Sequence, residues 1–442
     1  MKSISFKRIL PLALAIVMTV ASLASLTSCL TFIGGGYGGE GSSEGTEGGS
    51  DAGNSGASGG ESDGTGDSAD GGSQAPEFLP REEGAADSVD LTSSSKALLS
   101  VVRIVSNYER KNSYSSTTTP FISEGSGVIY KLDRSAGDAY IITNYHVVYN
   151  SESITPDKIS DEIDLYLYGQ EDEKYKISAT YVGGSMTQDL AVLRVEDSEV
   201  LKNSYALAAT VGNSEALRPL DNVIVVGNPD GLGISVTSGI VSVDSEYLAM
   251  IGADGKTAIE LRVTRVSAAV NTGNSGGGLF DSQGNLVGIV NAKRIGESYK
   301  EDIDNIGYAL PINAAKTVAD AIIHYCDGES TTLYRCLLGI NLNAAVMGIT
   351  VDPETGVITK VEKVEIAGIT AGCVLEGQVA VGDIINSITV DGVKTDVTRT
   401  YHVIDAMYNA RVGSTVGLNL TRGDIDFTVE VTIPEGSLTE VE

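Results

Sequence analysis

The sequence predicts a mainly β protein, a barrel or sandwich of short strands followed by a small α+β domain, and three observations predict it. From about 98 to 312, short apolar and β-branched runs alternate with Gly, Asn and Asp: Val128-Ile129-Tyr130, Tyr140-Ile141-Ile142, Ile163 to Tyr168, Leu190 to Val195, Val223 to Val226, Ile240 to Val243 and Leu286 to Val290. Many short strands with turn residues between them read as a closed or sandwiched all-β unit. Around Asn313 to Tyr325 the pattern changes to an Ala-rich helix with apolar residues at 318, 321, 322 and 325, ended by Asp327-Gly328, and a domain boundary falls there. From about Leu333 to Pro434, strands alternate with one amphipathic helix near His402 to Ala410. A closing hairpin there pairs Val416 to Leu420 with Phe427 to Val431 around Arg422-Gly423-Asp424.

The N-terminal quarter is not core. Lys2, Lys7 and Arg8 precede an apolar run from Ile9 to Val20 and then small residues up to Cys29, the layout of an export signal. A spanning helix is the alternative, but the run is short, is broken by Pro11 and ends in Leu26-Thr27-Ser28-Cys29, which resembles the bacterial lipobox. That resemblance implies cleavage before Cys29 and acylation of its thiol, so residues 1–28 would be a lipoprotein signal peptide. The mature chain would then be held at the outer face of the bacterial cell membrane by lipid.

Residues 29–95 read as a disordered acidic tether. Between 30 and 95 there are thirteen acidic residues against one basic one, Arg81, in a background of Gly and Ser, too little apolar surface to fold. As a Gly-rich coil its mean reach is roughly 40 to 50 Å, lengthened by charge repulsion. This tail carries part of the formal charge of −29, and an acidic balance without a basic run argues against a nucleic-acid partner.

Four cysteines stand at 29, 326, 336 and 373, and if Cys29 carries lipid the remaining three have no CxxC spacing. Neither a zinc site nor a complete disulfide framework follows, and the pairing of Cys326 with Cys336 stays open. Only three histidines occur (His146, His324, His402), so no metal and no cofactor is expected.

Three segments carry candidate chemistry. Asn271-Thr272-Gly273-Asn274-Ser275-Gly276-Gly277 packs three glycines around a serine, and such a loop can present a hydroxyl beside free backbone amides. By itself it reads equally well as a Gly-rich turn with a solvated serine. Thr143-Asn144-Tyr145-His146-Val147-Val148 follows an apolar strand, although a single histidine is usually structural. Gln188-Asp189-Leu190-Ala191-Val192-Leu193 puts one carboxylate at the mouth of a strand, where a turn residue is the ordinary reading. The chain order His, Asp, Ser matches that of chymotrypsin-like double barrels and differs from the subtilisin-like and α/β-hydrolase orders.

Over nearly all of its folded length the chain resembles HtrA (Deg) type trypsin-fold proteases with a C-terminal PDZ domain. Glu124-Gly125-Ser126-Gly127-Val128-Ile129 resembles the family strand before the histidine, and Val226-Gly227-Asn228-Pro229 through Val236-Thr237-Ser238-Gly239-Ile240-Val241-Ser242 resembles a second family run. Ile306 to Pro311 completes the set. The resemblance implies a chymotrypsin-like double β-barrel at 96–328 and a PDZ-like α+β domain at 329–442. It implies a triad of Ser275 as nucleophile, His146 as proton carrier and Asp189 as orienting carboxylate, with the amides of Gly273 and Ser275 as oxyanion hole. It also implies a primary pocket lined by Ala269, Val290 and Asn291 beside Ile289, without an acid at its floor, selecting small or medium aliphatic side chains. Cys336-Leu337-Leu338-Gly339-Ile340 resembles the PDZ loop that captures a peptide C-terminus, with Leu337, Leu338, Gly339 and Ile340 as its binding residues. Ile369 to Gly372 and Val381 to Ile385 resemble a second PDZ segment, here with Glu376 to Ala380 inserted.

The expected function is an endopeptidase acting on unfolded or exported proteins, assembled as a homotrimer. The alternatives are a catalytically quiet peptide-binding or chaperone-like lipoprotein and a stalked adhesin. Departures from the family pattern stand at Ser267 (often Asp), Thr272 (often Pro) and Gly278 (often Pro), and the last is expected to loosen the nucleophile loop.

Overall fold

The computed structural model describes residues 92–112, 116–291, 305–326 and 331–441. The export signal, Cys29, the tether up to residue 91 and the helix stop at Asp327-Gly328 lie outside the described residues, while residues 92–95, expected as the end of the tether, instead open a helix over Ser93–Leu98 with Thr92 as its N-cap. No helix among the described residues is long and apolar enough to cross a membrane.

A short helix, α1 (Ser93–Leu98), leads into six strands: β1 (Val101–Lys111), β2 (Thr118–Asp133), β3 (Asp138–Thr143), β4 (Glu162–Leu167), β5 (Ile177–Ser185) and β6 (Leu190–Val195). They close in the order β1-β2-β3-β6-β5-β4, with β1 antiparallel to both β2 and β4. One-turn helices α2 (Tyr145–Val148) and α3 (Glu199–Lys202) follow β3 and β6. A second closed barrel, β10-β11-β12-β9-β8-β7, is built from β7 (Asn222–Gly227), β8 (Ser235–Ile251), β9 (Ala258–Val266), β10 (Gly278–Asp281), β11 (Leu286–Asn291) and β12 (Gly307–Pro311). This is the double barrel that the sequence predicts.

The continuous apolar runs have a physical reason. Along β6, Leu190 and Val192 join a core shared with the second barrel, while Ala191, Leu193 and Val195 fill the interior of the first. Successive side chains point to opposite faces of a strand, so a strand buried on both faces reads as unbroken hydrophobicity. β2 does the same, sending Val128 toward the shared core and Ile129 into the barrel. The shared core also takes Val226, Phe280 and Ile289 from the second barrel and Val318, Ala319, Ala321 and Ile322 from helix α4 (Ile312–Tyr325). Each of the Val, Ile, Leu and Phe side chains among them contributes about 1.5–3 kcal/mol when fully buried, which locks the two barrels and α4 together.

The C-terminal domain holds β13 (Leu333–Cys336), β14 (Ile340–Val351), β15 (Ile358–Ile369), β16 (Ile384–Val390), β17 (Val393–Asp396), α5 (Thr400–Asn409), β18 (Thr415–Arg422), β19 (Ile425–Thr432) and β20 (Leu438–Val441). β14-β15-β16-β18-β19 form one sheet, β17 pairs with β16, and β13 pairs with β20. Its own core includes Val364, Ile366, Ile385, Ile388, Leu418 and Leu420 with Val403 and Met407 of α5. The inserted Glu376 to Ala380 is more than a loop: Val379, with Leu375 just before it, is buried in that core.

Charged side chains fasten this domain to the second barrel. The mostly buried Arg262 of β9 lies 3.0 Å from Asp405 of α5 and 3.6 Å from Glu215, and its guanidinium sits 3.8 Å from the centre of the Tyr401 ring. The Tyr401 hydroxyl donates to Glu215 at 3.0 Å, and Arg399 reaches Asp244 of β8 at 3.3 Å.

Candidate active site

The three nominated side chains come from three turns. His146 sits in α2, directly after β3. Asp189 occupies the turn between β5 and β6, and Ser275 lies in the loop between β9 and β10. Two of the three therefore belong to the first barrel and one to the second.

Each turn is shaped for its residue. Asn144 caps α2, yet its side chain leaves the helix amides alone and donates to the Asp189 carbonyl at 2.9 Å. Asp189 itself has φ +47°, a left-handed backbone uncommon outside glycine. Such strain persists only where the surroundings over-determine it, and it often marks functional positions. The Asp189 carboxylate is buried and spans the histidine: Oδ1 accepts the His146 amide at 3.1 Å, and Oδ2 lies 2.7 Å from His146 Nδ1. With Nδ1 held by a carboxylate, Nε2 of a neutral ring is left as the acceptor.

The Ser275 loop is pinned against β2. The Ser126 amide donates to the Ser275 carbonyl at 2.8 Å, and Thr143 Oγ1 donates to the Ser126 carbonyl at 2.7 Å. Ser126 Oγ donates to the Gly273 carbonyl at 2.7 Å and accepts the Asn228 amide at 2.8 Å. The strand that leads toward the histidine and the loop that carries the serine thus share one hydrogen-bonded network. The amides of Asn274, Gly276 and Gly277 donate to Asn271, Val290 and Asn274 carbonyls, and the exposed Thr272 has its carbonyl held by the Asp230 amide at 2.8 Å. Gly273 and Gly276 have φ +92° and +82°, and a Cβ on either would strike a backbone carbonyl, that of Asn228 or of Ser126. Glycine is required at both positions on two independent counts.

The Gly278 expectation is corrected. Gly278 is buried at the head of β10 and pairs with Ile289 on one side and Val226 on the other. The Phe280 ring fills the space its side chain would need. Two ladders and an aromatic ring restrain it where a proline ring would otherwise do so. Ser267 likewise has a role, its Oγ accepting the Ile240 amide at 3.0 Å.

The three expected pocket residues differ in exposure. Ala269 is exposed, but Val290 is fully buried inside the second barrel beside Val266, Leu279 and Val287. Asn291 is buried and turns its amide to Asp189, donating to Oδ2 at 2.8 Å. Residues 292–304, which follow it, lie outside the described residues. The family resemblance implied that Asn291 lines the pocket; the geometry shows its side chain holding the Asp189 carboxylate. Its position late in β11, 102 residues from Asp189, offers no local signal of that bond.

In the C-terminal domain, the peptide loop residues fall between β13 and the start of β14. Leu338 is buried in the core, Leu337 is outward, and Gly339 has φ +72°. The Leu337 amide donates to the Ser437 carbonyl at 2.8 Å, so this amide is already committed within the domain.

Comparison with known proteins agrees with the geometry. Residues 125–289 match the trypsin-like peptidase domain. The chain is 28% identical over 375 residues to the serine protease Do-like HtrA of Lactococcus lactis subsp. cremoris, covering 79% of this chain and 83% of that one. It is 38% identical over 201 residues to the serine protease Do-like HtrA of Bacillus subtilis (45% of this chain, 39% of the other). The periplasmic serine endoprotease DegP of Salmonella typhimurium is 29% identical over 327 residues (73% and 59%). The last two matches span less than two thirds of those relatives' length. These likenesses support an HtrA-type serine protease. The trypsin-like match ends at 289, just short of the Asn291 that holds Asp189.

Proposed function

We propose that the chain is an HtrA-type serine endopeptidase that hydrolyses peptide bonds in unfolded or exported proteins at the outer face of the bacterial membrane. Ser275 Oγ attacks the peptide carbonyl, His146 Nε2 takes the hydroxyl proton, and the proton then passes to the leaving amine as the acyl-enzyme forms. Water repeats the sequence in reverse, and the acid product and Ser275 are released. Asp189 holds the imidazole in the tautomer this needs. The amides of Gly273 and Ser275 receive the oxyanion, and removing one such donor costs about 3–4 kcal/mol of transition-state stabilisation.

The observation that supports the reading is the 2.7 Å approach of His146 Nδ1 to the buried carboxylate of Asp189, with the Ser275 carbonyl held by the Ser126 amide of β2 in the same barrel as that pair. An ion-binding or purely structural histidine has no need of a strained aspartate backbone beneath it.

The C-terminal domain is proposed as a PDZ-like module that takes peptide C-termini through Leu338, Gly339 and Ile340, with backbone donors after the committed Leu337. Lipidation at Cys29, the acidic tether and homotrimeric assembly belong to the same proposal and rest on the sequence. The experiment is fluorophosphonate labelling and casein cleavage by the chain from about residue 90, with and without added C-terminal peptides. The parent should label and cut, and Ser275→Ala should do neither; equal cutting by Ser275→Ala overturns the nucleophile. Failure of the parent to label with every peptide would favour the catalytically quiet alternative.

A further inference from the structure

The edge of the C-terminal sheet is unusually bare. Among the described residues β14 pairs only with β15, so along its other side every second residue presents backbone N–H and C=O groups outward. Proteins normally blunt such an edge with Lys, Pro or inward charge. In β14, the twelve residues Ile-Asn-Leu-Asn-Ala-Ala-Val-Met-Gly-Ile-Thr-Val contain no charged residue and no proline, in a chain that is 20% charged.

The strand has two halves. From Ile340 to Ala344 it alternates half-buried with exposed residues, backed by the domain core. A register shift lies between Ala344 and Val346, and beyond it Val346 to Val351 is exposed at every residue. Met347 is 75% exposed and Ile349 63%, with Val346, Val351 and, across the ladder, Ile358 also open. On the β14 side this stretch is uncharged, uncovered and apolar but for Thr350, while across the ladder Lys363, Glu362 and Lys360 stand opposite Val346, Met347 and Ile349; a bulge re-aims it relative to the near half. Isolated exposed apolar residues need no explanation, but a contiguous set on an open strand edge does.

We propose that Val346 to Val351 is a second peptide-binding subsite, continuous with the Leu338–Ile340 loop, which takes an extended apolar stretch of substrate upstream of its C-terminus. It rests on the reading of this domain as a peptide-binding module. A ligand strand adding antiparallel to β14 with its carboxylate at Gly339 advances one residue per residue. Its positions about six to eleven residues before the end therefore lie against Val346 to Val351. Main-chain hydrogen bonds make the contact tolerant of sequence, while the exposed Met347 and Ile349 side chains favour aliphatic or aromatic residues. The partner chemistry is that of an unfolded polypeptide: extended, apolar, with unsatisfied backbone groups.

The test uses the chain carrying Ser275→Ala and fluorescence anisotropy with three labelled peptides. One has four residues with an apolar C-terminus, one has twelve with the same last four and apolar residues upstream, and one has Lys and Asp in that upstream stretch. The apolar twelve-residue peptide should bind at least about tenfold more tightly than the other two. Met347→Lys with Ile349→Lys should abolish that gain and leave the four-residue peptide unchanged. Equal affinity for all three peptides overturns the subsite while leaving the carboxylate loop standing. Binding of none overturns both. Self-association in light scattering that the double variant abolishes, without any effect on peptides, assigns the edge to a second copy of the chain and overturns the proposal.

Discussion

The side-chain amide of Asn291 donates to Asp189 Oδ2 at 2.8 Å, the same oxygen that lies 2.7 Å from His146 Nδ1. A buried carboxylate oxygen with two donors is fixed in direction as well as in charge, so the imidazole meets a carboxylate that does not rotate. Asn144 holds the Asp189 backbone from the other side, through its carbonyl.

Asn291→Ala is expected to lower kcat by about 10- to 150-fold. Hydrogen bonds to a charged group are worth about 1.5–3 kcal/mol, and the loss falls on the state in which His146 is protonated. KM should change little, because the bond lies behind the histidine and not against substrate. A rise in KM with unchanged kcat would return Asn291 to the pocket wall.

Gly276→Ala and Gly278→Ala should behave differently although both residues are buried glycines of the same segment. At Gly276 the left-handed backbone adds about 1–2 kcal/mol of strain, and a Cβ would also meet the Ser126 carbonyl and Thr143 Oγ1, neither of which has room to yield. Loss of fluorophosphonate labelling and a lower melting temperature are expected. At Gly278 the obstacle is the Phe280 ring, so Gly278→Ala with Phe280→Leu should recover much of what Gly278→Ala loses. Calorimetry of the three variants checks it, and a Gly276→Ala protein that melts and labels like the parent contradicts it.

Arg262→Leu is expected to weaken the seam between the second barrel and the C-terminal domain by about 3–5 kcal/mol, the usual cost of removing one partner from a buried ion pair. Burial already pushes the Asp405 carboxyl up against the pull of Arg262, so the variant leaves an acid with little reason to ionise there. Arg262→Leu with Asp405→Leu should recover part of the loss, since a well-packed apolar pair replaces the charges. Limited proteolysis of the segment before β13 reads the effect; equal resistance in parent and single variant would mean that the cluster contributes nothing to docking.

What was legible in the sequence followed the range of the interaction. The strands of both barrels were visible because burial on two faces leaves unbroken apolar runs such as Leu190 to Val195. His146 and Asp189, each ambiguous in its own segment, were paired by chain order and resemblance, and the structure brings them to hydrogen-bonding distance. The hold of Asn291 on Asp189, the Phe280 ring over Gly278 and the Arg262 cluster were not legible. Each joins residues whose local sequence fits an ordinary strand or helix, and none leaves a periodicity or a turn signature. Gly278 misled for a related reason: its freedom as an isolated residue was read correctly, but the two flanking ladders that remove that freedom are tertiary.

Acid should loosen the C-terminal sheet through Asp383. Its buried carboxylate receives Arg422 Nε at 2.7 Å and a second guanidinium nitrogen at 2.8 Å, and the Ala380 amide adds a third donor at 2.7 Å. The Arg422 hydrogen bonds hold the carboxyl below its ordinary value, with burial opposing and the Ala380 amide assisting. A carboxylate whose pKa is lower in the folded state binds its proton more readily once unfolded. Its contribution to stability is therefore fully present above the unfolded value of about 3.9 and is lost as pH falls through the lower folded value. Hydrogen exchange at the β16 and β18 amides should quicken as the pH falls below about 4, beyond the intrinsic chemical trend. Arg422→Gln should exchange faster than the parent near neutral pH and show a smaller further change on acidification, because the favoured charge is already lost. An acid response in Arg422→Gln as large as the parent's would place the pH dependence elsewhere in the domain.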